Sequence, residues 1–538
     1  MKNLNKILFI VFGLFLSSIS CAQEFENQAA LLVESSRSEL VGVINATAKI
    51  NDPRVLPTLK ALLDAKLFYQ KETKKIFVVD ENENNTTVTD LISGQLTDAI
   101  YSDELKKIRI TNKIRRTLKS NIAVLEVTSK NQALRLSAAK SMAANPDSGL
   151  RDVIASAIKK EESTAVLEYL NLGLGLIDIY SEDQSLRLSA AEALSETVQP
   201  EAVAILNTLA EKNEEGEYLE PNTELAQFAE KALDSVNAKL GFFGFTENLL
   251  FGISLGSILL LAAIGLAITF GVMGVINMAH GEMIMLGAYT TFAIQQLFPN
   301  FLNYSLFIAI PAAFLVSGCM GVLIERIIIR HLYGRPLDTL LATFGVSLIL
   351  QQLVRTGYSA NNVSVATPDW ASGFWQFNGA LSLTYNRIYI LIFSLIVLAL
   401  LAVLLKKTLV GLQMRAVTQN RGMANSMGIK SSWVDAMTFG LGSGIAGIAG
   451  VALSQITSVG PNLGQTLIVD SFMVVVFGGV GNIMGTFLGA LILGIANKFM
   501  EPFTGAVIAK ILMLVFIILF IQWRPRGLFA LKGRFVED

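Results

Sequence analysis

The chain has 538 residues, of which 52% are hydrophobic and 16% charged, and its formal net charge is −1. A chain this long and apolar exceeds one soluble domain. The net charge is uninformative, and no basic tract suggests a nucleic-acid partner. Residues from about Gln23 to Lys239 are of mixed polarity, whereas about Asn248 to Trp523 are mainly apolar. This division predicts an all-α protein with a soluble N-terminal domain and a polytopic helical membrane domain.

The first 22 residues have the pattern of an export signal. Two early lysines precede a short apolar core at Ile7–Leu16, and Ser20–Ala22 fits a small-x-small cleavage site. The core is too short to cross a bilayer of roughly 30 Å. We predict a signal peptide at 1–22, with a lipidated Cys21 as the alternative, and an exported location for the residues that follow.

An internal repeat marks the polar region. Gln132–Ala139 reads QALRLSAA and returns as Gln184–Ala191, QSLRLSAA, 52 positions later (184 minus 132). Each copy begins a helical pattern, and its small alanines allow close helix pairing. Such pairs predict a HEAT-like stack, with short strands at Lys66–Tyr69 and Lys75–Val79. We assign residues 23–240 to an exported soluble helical-repeat domain.

The same region has no feature of an enzyme. It contains no histidine, no cysteine after Cys21, no glycine-rich phosphate loop and no spaced metal ligands. Its carboxylates are scattered on predicted helix surfaces, where charged residues are usually only solvated. A docking or scaffolding role is favoured, and neither a cofactor nor a metal is predicted.

Residues 241–538 form the predicted membrane domain. A helix needs about 20 apolar residues to cross a bilayer, and this criterion predicts about 8–9 spans, some of them broken. The candidate segments are Asn248–Gly271, Met283–Leu297, Ser305–Ile324, Leu337–Val354, Ile388–Leu405, Trp433–Thr457, a glycine-broken pair across Thr466–Asn497, and Gly505–Trp523.

Lysine and arginine gather in three parts of this domain. They occur within Arg326–Arg335, within Lys406–Lys430 and from Arg524 onwards. Since basic connections remain on the cytoplasmic side of a membrane, all three are predicted to be cytoplasmic. With an exported N-terminus, the chain is then a multi-pass protein of the inner (plasma) membrane with an extracytoplasmic N-terminal domain.

The most informative stretch is Gly274–Ala288, GVINMAHGEMIMLGA. Between long uncharged segments it places Asn277, His280 and Glu282. Ionisable groups in such a position are costly to bury, so they normally face water, a partner or a cargo. Helix capping by Asn277, and an ion pair or a membrane-surface anchor made by His280 and Glu282, are the alternatives.

A second break lies at Phe477–Gly485, FGGVGNIMG. Glycines this dense break helices or permit close packing, and Asn482 lies among them. The break parallels the one at Gly274–Gly281, which suggests an internal repeat of the membrane domain. Helix capping is the alternative role of Asn482.

The second basic connection contains an amphipathic stretch, Gly411–Ile429. Met414, Val417 and Met427 lie there among polar residues, and the stretch ends near a glycine. The pattern predicts either a helix lying under the bilayer or a short coupling helix that docks into a cytoplasmic motor.

These segments resemble a known family. Ile276–Glu282, INMAHGE, with Leu286–Ala288 looks like the signature of the branched-chain amino-acid permease family of ABC importers, and Phe477–Asn482 resembles that family's glycine-rich break. A further resemblance is to that family's cytoplasmic loop, which contacts the ATPase. In this chain it is carried by Met414–Ala416, Asn420–Arg421 and Met427–Ile429. The resemblance covers about Asn248 to Phe529.

Ordinary members of that family lack an N-terminal region of this kind. A secreted, repeat-containing extension, with the stretches Leu56–Leu63 and Lys66–Tyr69, is similar to the urea permeases of the family. This resemblance implies urea, or a small amide such as acetamide, as cargo. A branched-chain amino acid is the alternative.

The resemblance implies a transport subunit and not an enzyme. The chain has no Gly-x-x-x-x-Gly-Lys-Ser/Thr loop that could hold ATP. The implied partners are cytoplasmic ABC ATPase subunits, a second homologous permease subunit and a soluble substrate-binding protein, which the N-terminal domain is predicted to dock. The residues implied to couple to the ATPase are Arg415, Ala416, Asn420, Arg421, Ala424 and Gly428.

A neutral cargo such as urea needs hydrogen-bond donors and acceptors along its path rather than a net charge. The predicted residues of the translocation path are Asn277, His280, Glu282 and Asn482, with Gln351 and Gln455 as weaker candidates. Two other classes remain as alternatives. An ATP-independent urea channel or secondary transporter leaves Gly411–Ile429 without a role, and a membrane enzyme has only His280 with Glu282 as a candidate pair.

Overall fold

The computed structural model describes residues 23–36, 38–70, 72–82, 85–96, 105–377 and 381–529. The chain divides into two compact units, Met1–Lys239 and Leu240–Asp538, each with its own buried apolar core. The predicted signal peptide at 1–22, with Cys21, lies outside the described residues.

The first unit combines helices with a small sheet. Its helices are α1 (residues 23–34), α2 (Leu40–Thr47), α3 (Val55–Leu63), α4 (Asn112–Glu126), α5 (Gln132–Ala144), α6 (Arg151–Ile158), α7 (Thr164–Asp178), α8 (Gln184–Ser195) and α9 (Pro200–Leu209). Its antiparallel strands, in the spatial order β3-β2-β1-β4, are β1 (Leu67–Gln70), β2 (Ile76–Asn82), β3 (Asn85–Asp90) and β4 (Leu105–Lys107).

The strands predicted at Lys66–Tyr69 and Lys75–Val79 are confirmed as β1 and β2. They belong to a sheet of four strands, so the all-α prediction is wrong for this part of the chain. The physical reason is local, because β-branched and aromatic residues fit a pleated, half-buried surface. Helices nevertheless make up most of the molecule.

The two sequence repeats adopt the same local structure. Asn131 precedes α5 and Asp183 precedes α8, and each side chain accepts a hydrogen bond from the backbone N–H two residues later, at 2.9 and 2.8 Å. Such N-caps satisfy donors that have no partner within the helix. Ala139 and Ala191 occupy equivalent positions, and both are fully buried. A HEAT-like stack built on these helices remains a prediction.

Each repeat also holds an arginine–carboxylate pair. Arg135 donates from Nε to Glu161 at 2.7 Å, and Arg187 donates from Nη2 to Glu220 at 2.8 Å. Both arginines also donate to backbone carbonyls that precede their own helices. Because both glutamates lie in connections between helices, the pairs tie successive segments of the unit together.

The second unit is a helical bundle. Its first helix, α10 (Thr223–Met273), contains the position at which the two units divide. The other helices are α11 (His280–Leu297), α12 (Ser305–Ile327), α13 (Pro336–Gly357), α14 (Tyr385–Lys407), α15 (Leu409–Gln419), α16 (Arg421–Ser426), α17 (Ser431–Ser454), α18 (Leu463–Gly478), α19 (Ile483–Thr504) and α20 (Ala506–Trp523). Two paired strands, β5 (Phe374–Gln376) and β6 (Ser382–Thr384), precede α14.

Seven helices among the described residues are long and apolar enough to cross a membrane, namely α10, α12, α13, α14, α17, α19 and α20. This number differs from the prediction of about 8–9 spans. α11 is long enough but less apolar, with His280 and Glu282 in its first turn, and α18 has only 16 residues. The predicted glycine-broken pair is thus one short helix, α18, followed by one span, α19.

Glycines bring the inner helices of the bundle into backbone contact. A Cβ atom on Gly265 of α10 would lie 2.3 Å from the carbonyl oxygen of Gly442 of α17, and one on Gly287 of α11 would lie 2.0 Å from that of Gly447. Small residues at such crossings let membrane helices pack closely. In the apolar 18-residue stretch of α17, 83% of the residues are buried, whereas the corresponding share for α20 is 17%. α17 therefore lies at the centre of the bundle.

Candidate functional site

The segment Gly274–Ala279 runs back along α10 before α11 begins. His280 is the first residue of α11, and its Nε2 donates to the carbonyl oxygen of Ala262 at 3.0 Å. Ala262 lies 11 residues before the end of α10 at Met273 (273 minus 262). At about 1.5 Å per residue, α11 starts roughly 16 Å back from that end. Asn277, His280 and Glu282 therefore lie inside the bundle, away from the end of α10 at Met273.

The non-helical residues between α10 and α11 are satisfied by neighbouring side chains. Asn277 Oδ1 accepts from the backbone N–H of Ala279 at 3.0 Å, and the N–H of Met278 donates to Thr343 Oγ1 of α13 at 3.1 Å. Irregular backbone at membrane depth is tolerated where protein surrounds it in this way. Asn277 thus has a capping geometry, but its buried Nδ2 has no partner among the described residues.

Glu282 makes the main polar contacts of this site. The residue is 1% exposed, and one carboxylate oxygen accepts from Ser347 Oγ at 2.9 Å and from Gln351 Nε2 at 2.8 Å. The other oxygen, Oε2, has no hydrogen-bond partner in the described part of the chain. A buried carboxylate with an unused acceptor, beside hydroxyl and amide donors, can exchange hydrogen bonds with a small molecule that carries N–H groups.

His280 and Glu282 do not form the ion pair considered as an alternative. His280 donates a hydrogen bond to a carbonyl oxygen of α10, whereas Glu282 accepts hydrogen bonds from side chains of α13. No salt bridge joins His280 and Glu282. Residues two apart do not face each other on a helix, which explains their separation. Both are almost fully buried, which is inconsistent with a membrane-surface anchor. No group of three or more histidine, cysteine, aspartate or glutamate side chains in the described ranges is arranged to hold a metal ion.

The starts of α11 and α18 meet beside Glu282. A Cβ atom on Gly281 would lie 2.2 Å from the carbonyl oxygen of Gly464, and one on Gly464 would lie 2.8 Å from Glu282 Cδ. Helix N-termini carry partial positive charge on their unpaired N–H groups, so this carboxylate lies beside two electrostatically favourable ends. Broken helices whose ends face a cargo are typical of transporter binding sites.

A polar stripe on α13 faces the same site, and the sequence patterns identified only one of its members. The stripe consists of buried residues spaced four apart, namely Thr339, Thr343, Ser347 and Gln351. Side chains four apart share one face of a helix, and the hydrogen bonds to Met278 and Glu282 show that this face meets the start of α11. A four-residue period of polar residues within an apolar helix is the sequence signal that identifies the stripe.

Asn482 belongs to the other break. It caps α19, because its Oδ1 accepts from the N–H of Gly485 at 3.1 Å. Gly479 and Gly481 in the same turn have φ angles of 104° and 78°, which favour glycine. No hydrogen bond joins Asn482 or Gln455 to Glu282 in the described residues, whereas Gln351 bonds Glu282 directly.

The predicted coupling helix is a pair of short helices, α15 and α16. Met414, Val417 and Ala424 are buried and pack against α17. Met423 and Met427, in contrast, are 66% and 78% exposed. The segment therefore has one apolar side fixed to the bundle and further apolar side chains left uncovered.

The predicted coupling residues fall into two groups. Three of them are exposed, namely Arg415, Asn420 and Gly428. Ala416 and Ala424 instead pack on the bundle. Arg421 makes two hydrogen bonds to the Asp435 carboxylate of α17, and its guanidinium lies 3.9 Å from the centre of the Tyr333 ring. Arg421 thus fixes the start of α16 to α17.

Known proteins match this chain within its second unit. The sequence profile of the family described as "Branched-chain amino acid transport system / permease component" matches residues 248–521. The high-affinity branched-chain amino acid transport system permease proteins BraD of Pseudomonas aeruginosa and LivH of Escherichia coli are each 29% identical to this chain, over 53% of it and 96% of the relative. A probable branched-chain amino acid transport permease protein LivH of Methanocaldococcus jannaschii is 25% identical, over 51% of this chain and 88% of the relative.

No solved structure gives a significant match. The family match covers 274 residues (521 minus 248, plus 1), which is more than half of the 538-residue chain. The matched region contains the start of α11, the coupling segment (helices α15 and α16) and the glycine-rich turn before α19. The chain therefore belongs to the branched-chain amino acid transport system permease family, as a multi-pass membrane transport component and not an enzyme.

Proposed function

We propose that this chain is the transmembrane permease subunit of an ATP-driven ABC importer and that it forms the translocation path for urea. The observation that carries the proposal is buried Glu282, with Ser347 and Gln351, at the meeting point of two helix starts. Urea is neutral and has N–H donors and a carbonyl acceptor, so it needs exchangeable hydrogen bonds. The unused Oε2 of Glu282 and the unused Nδ2 of Asn277 offer an acceptor and a donor.

The N-terminal unit supports urea over a branched-chain amino acid. BraD and LivH align over 96% of their own length but only 53% of this chain, and the family match begins at residue 248. A repeat-containing extension is the feature in which this chain resembles urea permeases. A branched-chain amino acid, the cargo in the relatives' names, is the second candidate, because its ammonium group would pair with the free oxygen of Glu282.

Separate ATPase subunits supply the energy in this proposal. Met423 and Met427 give the coupling segment an exposed apolar surface, which is a common mark of a protein interface. Arg421 ties the same segment to α17. A displacement of α16 would therefore pass to α17, and from there to α11 through the backbone contact between Gly287 and Gly447.

The proposed complex contains further partners. A soluble binding protein delivers the cargo, and a second homologous permease subunit completes the path. We place the three basic connections in the cytoplasm and let the shorter helices α11 and α18 also carry the chain across the bilayer, so that the first unit is extracytoplasmic and docks the binding protein. Unchanged transport after deletion of residues 23–239 would count against this docking role.

Uptake of radiolabelled urea and leucine tests the cargo. Cells that carry the chain with its partner subunits should accumulate urea, and should lose this uptake when the ATPase is inactivated. Leucine uptake without urea uptake would assign the second cargo. Urea uptake that survives loss of the ATPase would indicate a channel and contradict the proposal.

Two neighbouring glutamines of α13 test the position of the path. Gln351→Leu removes a hydrogen bond to the Glu282 carboxylate and should lower uptake about tenfold at an unchanged amount of protein in the membrane. Gln352 is exposed and, among the described residues, its side chain bonds only to Thr356 of its own helix, so Gln352→Leu should transport normally. Equal effects of the two substitutions would contradict a path at Glu282.

A further inference from the structure

A cleft with polar side chains lies in the bundle, outside the Glu282 site. It is a cleft of about 260 Å³ between α10, α18, α19 and α20. Most of its walls are apolar, but five polar side chains line it, namely Asp470, Asn497, Lys498, Glu501 and Lys510. None of them belongs to the sequence motifs that identified the family.

One side of the cleft is an ion pair between two membrane helices. Lys510 of α20 lies 2.8 Å from the Asp470 carboxylate of α18, and its ammonium group also donates to the carbonyl oxygen of Thr466 at 3.3 Å. The Asp470 side chain is 17% exposed and that of Lys510 is 42% exposed. Charged residues inside membrane helices are rare and usually line a water-filled cavity or a substrate pathway.

The other side of the cleft is the last part of α19. Lys498 and Glu501 pair with each other one turn apart, and both remain partly exposed. Beside them, Asn497 lines the cleft, and its side-chain amide makes no hydrogen bond within the described residues. Two positive and two negative groups leave the cleft without net charge.

We propose that this cleft is a second cargo site, which takes a small polar molecule without net charge before that molecule reaches Glu282. Paired opposite charges and a free amide match a ligand that carries both donors and acceptors. Urea and a zwitterionic amino acid share this chemistry. Neither is excluded by the volume of the cleft.

The position of the cleft gives its place in the transport sequence. Glu501 and Lys510 lie on either side of Gly505, where α19 ends and α20 begins. The basic residues Arg524 and Arg526 follow the opposite end of α20. In the proposed orientation the cleft therefore opens towards the outer side, where the binding protein delivers cargo. This inference rests on the proposed function.

Cysteine protection tests the site directly. Asn497→Cys is made in a Cys319→Ser background, because Cys319 is exposed, and intact cells are treated with a membrane-impermeant thiol reagent. Modification should slow about tenfold when urea or leucine is present at about ten times its dissociation constant, because occupied sites are shielded. Protection by urea alone, or by leucine alone, identifies the cargo.

Phe503→Cys is the matched control. Phe503 lies on the same helix but is 88% exposed and does not line the cleft, so its modification should be independent of cargo. A Phe503→Cys protein that reacts while Asn497→Cys does not would show a closed cleft and overturn the inference. Equal rates with and without cargo at Asn497→Cys, in cells that show ATP-dependent uptake, would overturn it while leaving the proposed function intact. Absence of uptake of both cargoes would instead contradict the function.

Discussion

The two units of this chain hold their helices together by different means. In the first unit, fully buried alanines pack between helices, and arginine–glutamate pairs such as Arg135–Glu161 tie the connections. In the second, glycines let backbones touch, as at Gly287 and Gly447, and a few buried polar groups join the helices. The first arrangement relies on contacts between side chains, in which the arginines remain partly exposed and the glutamates are nearly buried. At its glycine crossings, the second has no space for an added side-chain atom.

The largest effect is expected at the backbone crossing of α11 and α17. Gly287→Ala would place a Cβ atom 2.0 Å from the carbonyl oxygen of Gly447. Overpacking costs about 1–3 kcal/mol and more where a neighbour cannot move, so little assembled protein should reach the membrane. Gly345→Ala on α13 is the control, since no atom lies within 4 Å of its added Cβ. Similar amounts of both variants in membrane immunoblots would show that glycine packing does not hold the bundle.

A smaller effect is expected at the link between α16 and α17. Asp435→Ala leaves Arg421 without its carboxylate partner and should cost about 2 kcal/mol, measured as a lower thermal unfolding temperature of the purified protein. Uptake per ATP hydrolysed should also fall, because the coupling segment is no longer fixed to α17. Asp338→Ala is the control, since its pair with Arg335 is long, at 3.9 Å, and exposed. An unchanged coupling ratio in the Asp435 variant would contradict this role.

The first unit should respond to acid through Glu161. Hydrogen bonds from the Arg135 guanidinium lower the pKa of Glu161 to about 2, from an ordinary value of 4.5. A lowered pKa stabilises the fold above about pH 4.5, and this contribution is lost as the pH falls towards 2. Pepsin cleavage within residues 130–165 of the full-length protein should therefore rise over this range. The Arg135→Gln variant should be cleaved faster at pH 4.5, and its cleavage rate should depend less on pH. The same pH dependence in both proteins would contradict a stabilising role of the Arg135–Glu161 pair.

The smallest effect is expected at the caps of the two repeats. Asn131→Ala and Asp183→Ala each remove one hydrogen bond to a helix N-terminus and should cost about 1 kcal/mol. Because the two caps have the same geometry, the two losses should be similar in denaturant titrations. A clear difference between them would show that the repeats are not equivalent.

Local patterns predicted much of the fold. Hydropathy located the apolar helices, the repeated QALRLSAA motif located α5 and α8, and aromatic and β-branched runs located β1 and β2. The count of spans from hydropathy differs at two helices: α18 is apolar but has only 16 residues, and α11 begins with His280 and Glu282. These features depend on residues close together in the sequence, which is why single-sequence patterns can find them.

The candidate site was predictable only in part. The polarity of Asn277, His280 and Glu282 marked it, but their partners depend on contacts between distant segments. Glu282 and Gln351 are 69 residues apart, and the hydrogen bond from His280 to α10 sets where α11 starts. No local pattern contains that information. The pairing of Arg421 with Asp435 likewise follows only from how α16 packs on α17.

The early start of α11 has a consequence for how the protein is made. α11 has 18 residues, begins with a buried histidine and glutamate, and is not among the helices apolar enough to cross a membrane alone. It would therefore partition poorly from the insertion machinery into lipid on its own. Its polar groups gain their partners from α10, synthesised earlier, and from α13, synthesised later. We therefore expect α11 to enter the bilayer together with other helices and not alone.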